Sequence, residues 1–279
     1  MFKQYIAKLK KKIIGHTPQK HLDLLTVPIV EHCNLRCRFC DHFAPLAEEE
    51  FADIKVFEKD FARLSELLNA KVDRIGLMGG EPLLHPQLND FLYVARKYFP
   101  KTELHLVTNG ILLLKKTEVF WKACKDNSIT IFNTRYPLPL DFDEIKEVAK
   151  KHDVRYKYSR YSGIVLKTSN KIPLDLAGKQ DMNTNFIKCI HANNFCFLSN
   201  GKLFTCTVAP NVRHFNKYFN KNVPLSDEDY IDIYKAQNEE EIMLFLSRPI
   251  PMCKYCYVKK RTTGHQWQKS KKDIKEWTV

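Results

Sequence analysis

The sequence has no long apolar run, no internal repeat and no low-complexity segment. A membrane-spanning helix needs about 18 consecutive apolar residues, and the longest candidate, ILLLKK after Gly110, is far shorter. The first 22 residues, MFKQYIAKLKKKIIGHTPQKHL, are basic but lack the apolar region and cleavage site of a secretory signal. These absences predict a cytoplasmic protein with no membrane span.

Excess positive charge is nearly absent from the middle of the chain. Of the net charge of +13, residues 1–22 supply six lysines and no acid, and residues 254–279 supply eight basic against two acidic residues. A nearly neutral middle disfavours a protein that coats nucleic acid. The ends either contact an anionic lipid surface, a polyanionic substrate or RNA, or only aid solubility. The first segment has the pattern of a basic amphipathic helix, with Phe2, Ile6, Leu9 and Ile13 on one face.

The nine cysteines do not indicate a disulfide framework, because cytosolic thiols are kept reduced. Cys124 stands alone in a helical pattern and is expected to be a buried core residue. The others form two groups, at positions 33, 37 and 40 and at positions 189, 196, 206, 253 and 256. Their spacing is therefore more informative than their number.

Five strand-like segments alternate with helical ones through the first 160 residues. This alternation predicts an α/β fold with a parallel sheet, an incomplete (β/α)6 TIM-like barrel. Chemistry in such folds lies at the carboxyl ends of the strands. Three segments are predicted there, after the first, second and third strands: Cys33, Gly79-Gly80-Glu81 and Thr108-Asn109-Gly110. Further along, FCFLSNGKLFTC predicts a hairpin that turns at Asn200-Gly201, and DEDYIDIYKA and EEEIMLFLS predict helices.

Three cysteines in one loop, Cys33, Cys37 and Cys40, are one ligand short of a closed site. A [4Fe–4S] cluster bound by three thiolates keeps one iron open to an external ligand, as a catalytic metal centre requires. The competing interpretation is a zinc site whose fourth ligand is His32 or His42.

The loop resembles the signature of the radical S-adenosylmethionine (radical SAM) superfamily, reading Cys33-Asn-Leu-Arg-Cys37-Arg-Phe-Cys40. The resemblance implies that the open iron binds S-adenosylmethionine, with Phe39 near the adenine. It also implies an external electron donor, such as flavodoxin or ferredoxin, and cleavage to a 5′-deoxyadenosyl radical that abstracts hydrogen. The GGEP segment, with Gly79, Gly80 and Glu81, is assigned to the amino group of the methionyl part. Asn109 of TNG is assigned to a position near the ribose.

The second cysteine group resembles the auxiliary-cluster twitch domain, a shortened SPASM extension. Cys189, Gly201 and Cys206 have the form C-x11-G-x4-C, and Cys253 and Cys256 form C-x2-C. The resemblance implies a second [4Fe–4S] cluster on Cys189, Cys206, Cys253 and Cys256. A structural zinc site with the same ligands is the alternative. Cys196 is either buried or takes the place of Cys189.

These patterns divide the chain into four predicted parts: a basic amphipathic segment (1–22), a radical SAM core (23–185), an auxiliary-cluster domain (186–257) and a basic tail (258–279).

The substrate hypothesis is a sugar, nucleotide sugar or glycan that undergoes alcohol oxidation or epimerisation. Similar twitch-type enzymes include one that oxidises an aminocyclitol alcohol, and the chain resembles radical SAM proteins encoded among surface-polysaccharide genes. Asp41, His42 and Arg135 are candidate proton acceptors, and Cys196 is the candidate hydrogen donor for epimerisation. Peptide maturation, RNA modification, and an electron carrier or zinc-stabilised scaffold remain alternatives, with nucleic acid not favoured as a partner.

Overall fold

A computed structural model describes residues 18–158 and 166–279, so most of the predicted N-terminal amphipathic segment lies outside the described residues. The strands are β1 (Leu22–Val30), β2 (Val72–Gly79), β3 (Glu103–Thr108), β4 (Ile129–Asn133), β5 (Arg155–Tyr158), β6 (Thr168–Lys171), β7 (Cys196–Ser199), β8 (Lys202–Phe204), β9 (Ile231–Asp232) and β10 (Thr262–Gln266). The α-helices are α1 (Ile54–Leu67), α2 (Leu88–Tyr98), α3 (Glu118–Asp126), α4 (Phe142–Lys151), α5 (Met182–Lys188), α6 (Val208–Phe219) and α7 (Glu239–Leu246).

An eight-stranded sheet organises the molecule, in the order β5-β4-β3-β2-β1-β7-β8-β9. The first six strands in this order are parallel, and β8 and β9 are antiparallel. A separate antiparallel ribbon pairs β6 with β10. The predicted α/β class is confirmed, and the mostly parallel sheet is consistent with a partial TIM-like barrel.

Apolar periodicity explains why the crossover helices form where they do. Helix α1 begins at Asp53, whose carboxylate accepts hydrogen bonds from the backbone N–H groups of Lys55 and Val56. Its buried residues include Phe57, Phe61, Leu64 and Leu67, a spacing that keeps one face on the sheet. Phe61 and Leu64 are fully buried in the core. The core therefore lies between the sheet and these helices, and the polar strand ends stay free for a site.

The predicted hairpin forms, and it belongs to the main sheet. Asn200 and Gly201 both have positive φ, 50° and 73°, as a tight two-residue turn between twisted strands requires. Strand β7 pairs with β1 in parallel, with Cys196 opposite Leu25. The sixth parallel strand thus lies beside β1, not beside β5, and it comes from the segment that carries the second cysteine group.

The predicted helix DEDYIDIYKA is wrong. Asp229 is buried and accepts hydrogen bonds from the backbone N–H groups of Met252 and Ser226, so the chain forms a short 3-10 turn and then β9. Two helices, α5 and α6, occur where none was predicted. In the described part of the chain, no helix combines the length and hydrophobicity needed to cross a bilayer.

Candidate active site

The three-cysteine loop, residues 31–51, leaves the end of β1 and returns to it. The backbone N–H of Glu31 donates to the Glu50 carbonyl, and that of Ala52 donates to the Ile29 carbonyl, each at 3.0 Å. Between these two hydrogen bonds Phe39 and Phe43 have positive φ, 62° and 51°, which is uncommon for residues with large side chains. The loop is therefore tightly wound and closed at its base.

Hydrogen-bond donors approach the sulfur atoms of the loop. The Leu35 N–H lies 3.3 Å from Cys33 Sγ, and the Trp267 indole N–H lies 3.2 Å from Cys37 Sγ. Burial raises the pKa of all three thiols, that of Cys33 to about 12. Half-buried thiols with N–H donors at their sulfurs suit a metal that replaces the proton, because thiolates of iron–sulfur clusters accept such bonds.

A glycine pair lets the end of β2 approach the start of the cysteine loop. A Cβ atom on Gly79 would lie 2.1 Å from the Val30 carbonyl oxygen, and one on Gly80 would lie 1.8 Å from that of His32. In the structure the Gly80 N–H donates to Val30 O at 2.6 Å, and the Glu81 N–H donates to His32 O at 3.1 Å. The glycines are therefore required by backbone packing, whatever ligand lies nearby.

The buried side chain of Glu81 connects the ends of β2 and β3. Its side chain is 1% exposed and accepts hydrogen bonds from Thr108 Oγ1 (2.6 Å), Asn109 N (2.9 Å) and Leu83 N (3.0 Å). Burial raises the pKa of Glu81 to about 7, against the opposing effect of these hydrogen bonds. The predicted binding residue thus also braces the TNG turn.

Asn109 connects that turn to the cysteine loop. Its Nδ2 donates to Asn34 Oδ1 at 2.8 Å and approaches Cys33 Sγ at 3.8 Å. Gly110 has φ of 85°, and a Cβ there would lie 2.6 Å from Asn133 Nδ2. The first three strand ends are therefore one hydrogen-bonded unit, as their predicted placement on one rim implies.

Phe39 lies on the loop beneath the β6–β10 ribbon. Its ring centroid is 5.1 Å from that of His265 on β10, and Lys171 Nζ on β6 lies 5.9 Å from its ring. The ring is partly exposed, and the Arg38 guanidinium lies over it at 4.5 Å from its centroid. The role of Phe39 in binding adenine remains a prediction.

The second cysteine group also converges. Cys189, Cys206, Cys253 and Cys256 line one cavity, with apolar walls from residues such as Val208, Ile250 and Met252. Burial raises the pKa of each of these four thiols. Four soft donors around one apolar cavity fit a cubane cluster, in which each thiolate binds a different iron.

Cys196 lies elsewhere. It is 1% exposed, belongs to the hydrophobic core and faces Leu25 in the middle of β1. It does not line the cavity of the other four thiols. The alternative in which it takes the place of Cys189 therefore has no geometric support, and its core position leaves no reason to retain it as a hydrogen donor.

Comparison with known proteins identifies the family of the segment that carries the three-cysteine loop. Residues 27–161 match the family model of the radical SAM superfamily. This chain carries a radical SAM domain. The superfamily assignment made from the sequence is confirmed, and with it the expectation of a [4Fe–4S] cluster and S-adenosylmethionine.

Curated relatives match part of this chain. It is 29% identical over 169 residues to GTP 3′,8-cyclase of Nautilia profundicola, covering 59% of this chain and 50% of that protein. It is 34% identical over 101 residues to GTP 3′,8-cyclase of Sulfurovum sp., covering 36% and 30%. The chain spans half or less of the length of these relatives. They lend no support to the predicted sugar or glycan substrate.

A solved structure supports the fold over more of the chain. BtrN in complex with AdoMet and 2-DOIA aligns with 86% of this chain and 94% of its own, with a TM-score of 0.52 and 18% identity. That similarity is evidence for the fold alone.

In the described ranges, 18–158 and 166–279, no three Cys, His, Asp or Glu side chains converge closely enough to hold a single metal ion. A cubane cluster binds each thiolate at a different iron, so its ligands need not converge on one point. The donor set of the radical SAM loop, three half-buried thiols with N–H donors at their sulfurs, fits that cluster.

The three predicted proton acceptors have different surroundings. Asp41 Oδ2 accepts a hydrogen bond from Thr207 Oγ1 at 3.1 Å and lies 3.4 Å from His191 Nδ1. Burial opposes ionisation of Asp41, but the nearby His42, His191 and Lys167 outweigh it and lower its pKa.

The other two predicted acceptors contact aromatic rings. The His42 ring packs against Phe197, and its Nδ1 has no partner among the described residues. The Arg135 guanidinium lies 4.2 Å from the Tyr158 ring centroid and 3.8 Å from Asp143. Asp41 is the one of the three whose polar contacts lie beside proposed ligands of the second group, because Thr207 follows Cys206 and His191 lies two residues after Cys189.

The predicted basic tail, 258–279, packs on the radical SAM loop. Trp277 is 3% exposed, and its indole N–H donates to the Cys40 carbonyl at 2.9 Å. Trp267 contacts Cys37, as described above. Sequence reasoning missed both contacts, and the two tryptophans in an otherwise basic segment were the available signal.

Proposed function

We propose that this protein is a radical SAM enzyme that oxidises a secondary alcohol of a small polar substrate, such as a sugar or nucleotide sugar, to a ketone. The observation that carries the proposal is the second group of four thiols in one cavity, linked through Asp41 to the three-cysteine loop. Four protein ligands leave no iron open for a substrate, a donor set suited to electron transfer.

Oxidation of a carbinol to a ketone removes one hydrogen atom, one proton and one further electron. Cys33, Cys37 and Cys40 would hold a cluster that would pass an electron from an external donor, such as flavodoxin or ferredoxin, for the cleavage of S-adenosylmethionine that precedes hydrogen abstraction. Cys189, Cys206, Cys253 and Cys256 would hold a second cluster, which would supply an acceptor for the remaining electron. This balance needs no oxygen.

The chain's own residues supply positioning and the proton acceptor. Glu81 and Asn109 hold the turn that faces the cysteine loop, and Phe39 presents its ring to adenine. Asp41 Oδ2, held by Thr207 and His191, is the proposed acceptor of the hydroxyl proton. Because it lies between the two cysteine groups, it is the polar side chain best placed for a substrate that both must reach.

A second candidate is a reaction on GTP, favoured by the curated relatives named GTP 3′,8-cyclase. Epimerisation, in which solvent-derived hydrogen returns to the opposite face, is a variant of the first proposal. Peripheral membrane contact through the basic ends stays a separate hypothesis about the termini.

The test begins with anaerobic reconstitution of the full chain and measurement of bound iron. We expect about eight irons per chain, two cubane clusters. Cys189→Ala should lose about four, whereas Cys196→Ala, the matched control in the core, should keep all of them. Equal iron in wild type and Cys189→Ala would refute the second cluster.

Substrate class is tested by adding a reductant, S-adenosylmethionine and either GTP or sugars deuterated at single carbinol carbons. Deuterium in 5′-deoxyadenosine, with a ketone formed per S-adenosylmethionine consumed, is the expected result. Turnover of GTP alone would favour the second candidate. Solvent deuterium at an inverted carbon would favour epimerisation. No 5′-deoxyadenosine with any substrate, despite a full complement of iron, would overturn the proposed oxidation.

A further inference from the structure

The C-terminal strap, residues 266–278, runs antiparallel to the part of the cysteine loop that contains Cys37. The Arg38 N–H donates to the Gln268 carbonyl at 2.9 Å, and the Ser270 N–H donates to the Arg36 carbonyl at 2.8 Å. Cys37 therefore lies opposite Lys269, with a backbone hydrogen bond on either side of it. The strap therefore fixes the backbone on both sides of Cys37.

Both ends of the strap are anchored. Its start continues β10, which pairs with β6. Near its end the buried Glu276, 4% exposed, accepts hydrogen bonds from Ser270 Oγ at 2.6 Å and Lys271 N at 2.8 Å. The Trp277 carbonyl accepts a hydrogen bond from Leu174 N at 2.6 Å. A segment held in this way can place a side chain reproducibly at the loop.

The side chain placed there is Trp267. Its indole N–H points at Cys37 Sγ from 3.2 Å, and its ring contacts Tyr136 edge to face at 5.9 Å. Tyr136 is a second hydrogen-bond partner of the Cys37 thiol. Cys37 thus has side-chain donors from two distant parts of the chain, and Trp267 is the one supplied by the strap.

Hydrogen bonds to ligand sulfurs are among the determinants of the potential of an iron–sulfur cluster. One-electron reduction adds a negative charge that is shared with the thiolates, and an N–H dipole aimed at a thiolate favours the more negative state. We propose that Trp267 is a positioning residue that raises the reduction potential of the radical SAM cluster through its hydrogen bond to Cys37. The inference rests on the cluster assignment of the proposed function, and its electron comes from the external reductant.

The experiment is an EPR-monitored redox titration of the reconstituted full chain. The signal component that changes on addition of S-adenosylmethionine reports the loop cluster alone. Trp267→Phe keeps an aromatic ring and removes the donor. We expect a three- to tenfold less favourable reduction equilibrium, a potential about 30–60 mV more negative.

Trp277→Phe is the matched control, because its indole N–H donates to a backbone carbonyl and not to a sulfur. Because that carbonyl belongs to Cys40 but is not itself a ligand atom, the potential of Trp277→Phe should shift by much less than that of Trp267→Phe. Site-specific 3-benzothienylalanine at position 267 keeps the shape of the indole without the N–H, and it should reproduce the shift of Trp267→Phe.

Three results overturn the inference. A Trp267→Phe protein with full iron and the wild-type potential would show that the hydrogen bond has no effect on the cluster. An equal shift in Trp277→Phe would assign the effect to packing. A folded benzothienyl variant that cannot hold iron would make the contact structural. Failure of the wild-type protein to bind iron would instead refute the cluster assignment itself.

Discussion

Replacing Glu81 by glutamine tests whether this buried side chain carries an unfavourable charge at neutral pH. The carboxyl group is fully buried, and its pKa rises from 4.5 to about 7, chiefly because burial disfavours the charged form. Three hydrogen bonds from Thr108, Asn109 and Leu83 do not fully compensate for that burial. A group whose pKa rises on folding destabilises the folded state when it is ionised.

The effect of this pKa shift on the free energy of unfolding follows from proton linkage. Below pH 4.5 the carboxyl is protonated in both states and costs nothing. As pH rises toward 7 the unfolded state ionises first, so the free energy of unfolding falls, by about 3 kcal/mol once pH exceeds 7. Between pH 5 and 8.5 wild type should lose about 2–3 kcal/mol relative to Glu81→Gln.

Urea unfolding of the reduced, metal-free protein under argon at pH 5, 7 and 8.5 measures this difference. Glutamine keeps the size of the side chain and one acceptor oxygen. Its amide group facing the Asn109 N–H adds a cost that does not depend on pH, so the slope with pH carries the result. Parallel curves for wild type and Glu81→Gln would refute the buried-charge argument.

Two further predictions concern the loop and the proton acceptor. Gly80→Ala should lower the free energy of unfolding in urea by about 3 kcal/mol or more, because its Cβ would lie 1.8 Å from a backbone carbonyl oxygen. Gly76→Ala is the control and should lower it far less, because the nearest atom to its Cβ is 3.5 Å away. Equal losses in the two variants would contradict the close approach at Gly80. Asp41→Asn should lower the rate of ketone formation by about 10²-fold or more, while 5′-deoxyadenosine still forms. His42→Gln is the control and should lower that rate by less. Undiminished ketone formation in Asp41→Asn would exclude Asp41 as the proton acceptor.

Periodicity was sufficient to predict the parallel part of the fold. The first four strands are rich in apolar residues, and each crossover helix carries its apolar residues on one face. The three-cysteine loop, the glycine pair and the TNG turn could be placed on one rim because parallel strands end at the same edge. What periodicity could not supply was strand order, so the position of β7 beside β1 was missed.

Errors in the second half have local causes. DEDYIDIYKA has a helical pattern, but Asp229 instead satisfies the backbone N–H groups of Met252 and Ser226. Helix α6 was missed although Pro210 is compatible with a first turn, where the missing N–H needs no partner. These outcomes depend on contacts between distant segments, which no window of sequence contains.

The strap was missed for a related reason. The residues of the strap are mainly basic and polar, a composition typical of a solvated tail. The loop segment with which it pairs lies about 230 residues earlier in the sequence. Tertiary hydrogen bonds to Arg36 and Arg38 hold it in place, and neither has a sequence signature. The charge count was correct, but it says nothing about where a backbone is bound.

The position of Asp41 changes how the two cysteine groups are related. A division into core and auxiliary parts treats them as sites on separate units, yet one carboxylate oxygen contacts Thr207 and His191, neighbours of Cys206 and Cys189. The sheet joins the same parts a second time, because β7 pairs with β1. Two independent connections resist changes in the distance between the groups more than one flexible linker would. The proposed electron transfer from a substrate to a second centre requires a fixed separation, and these two connections would maintain it.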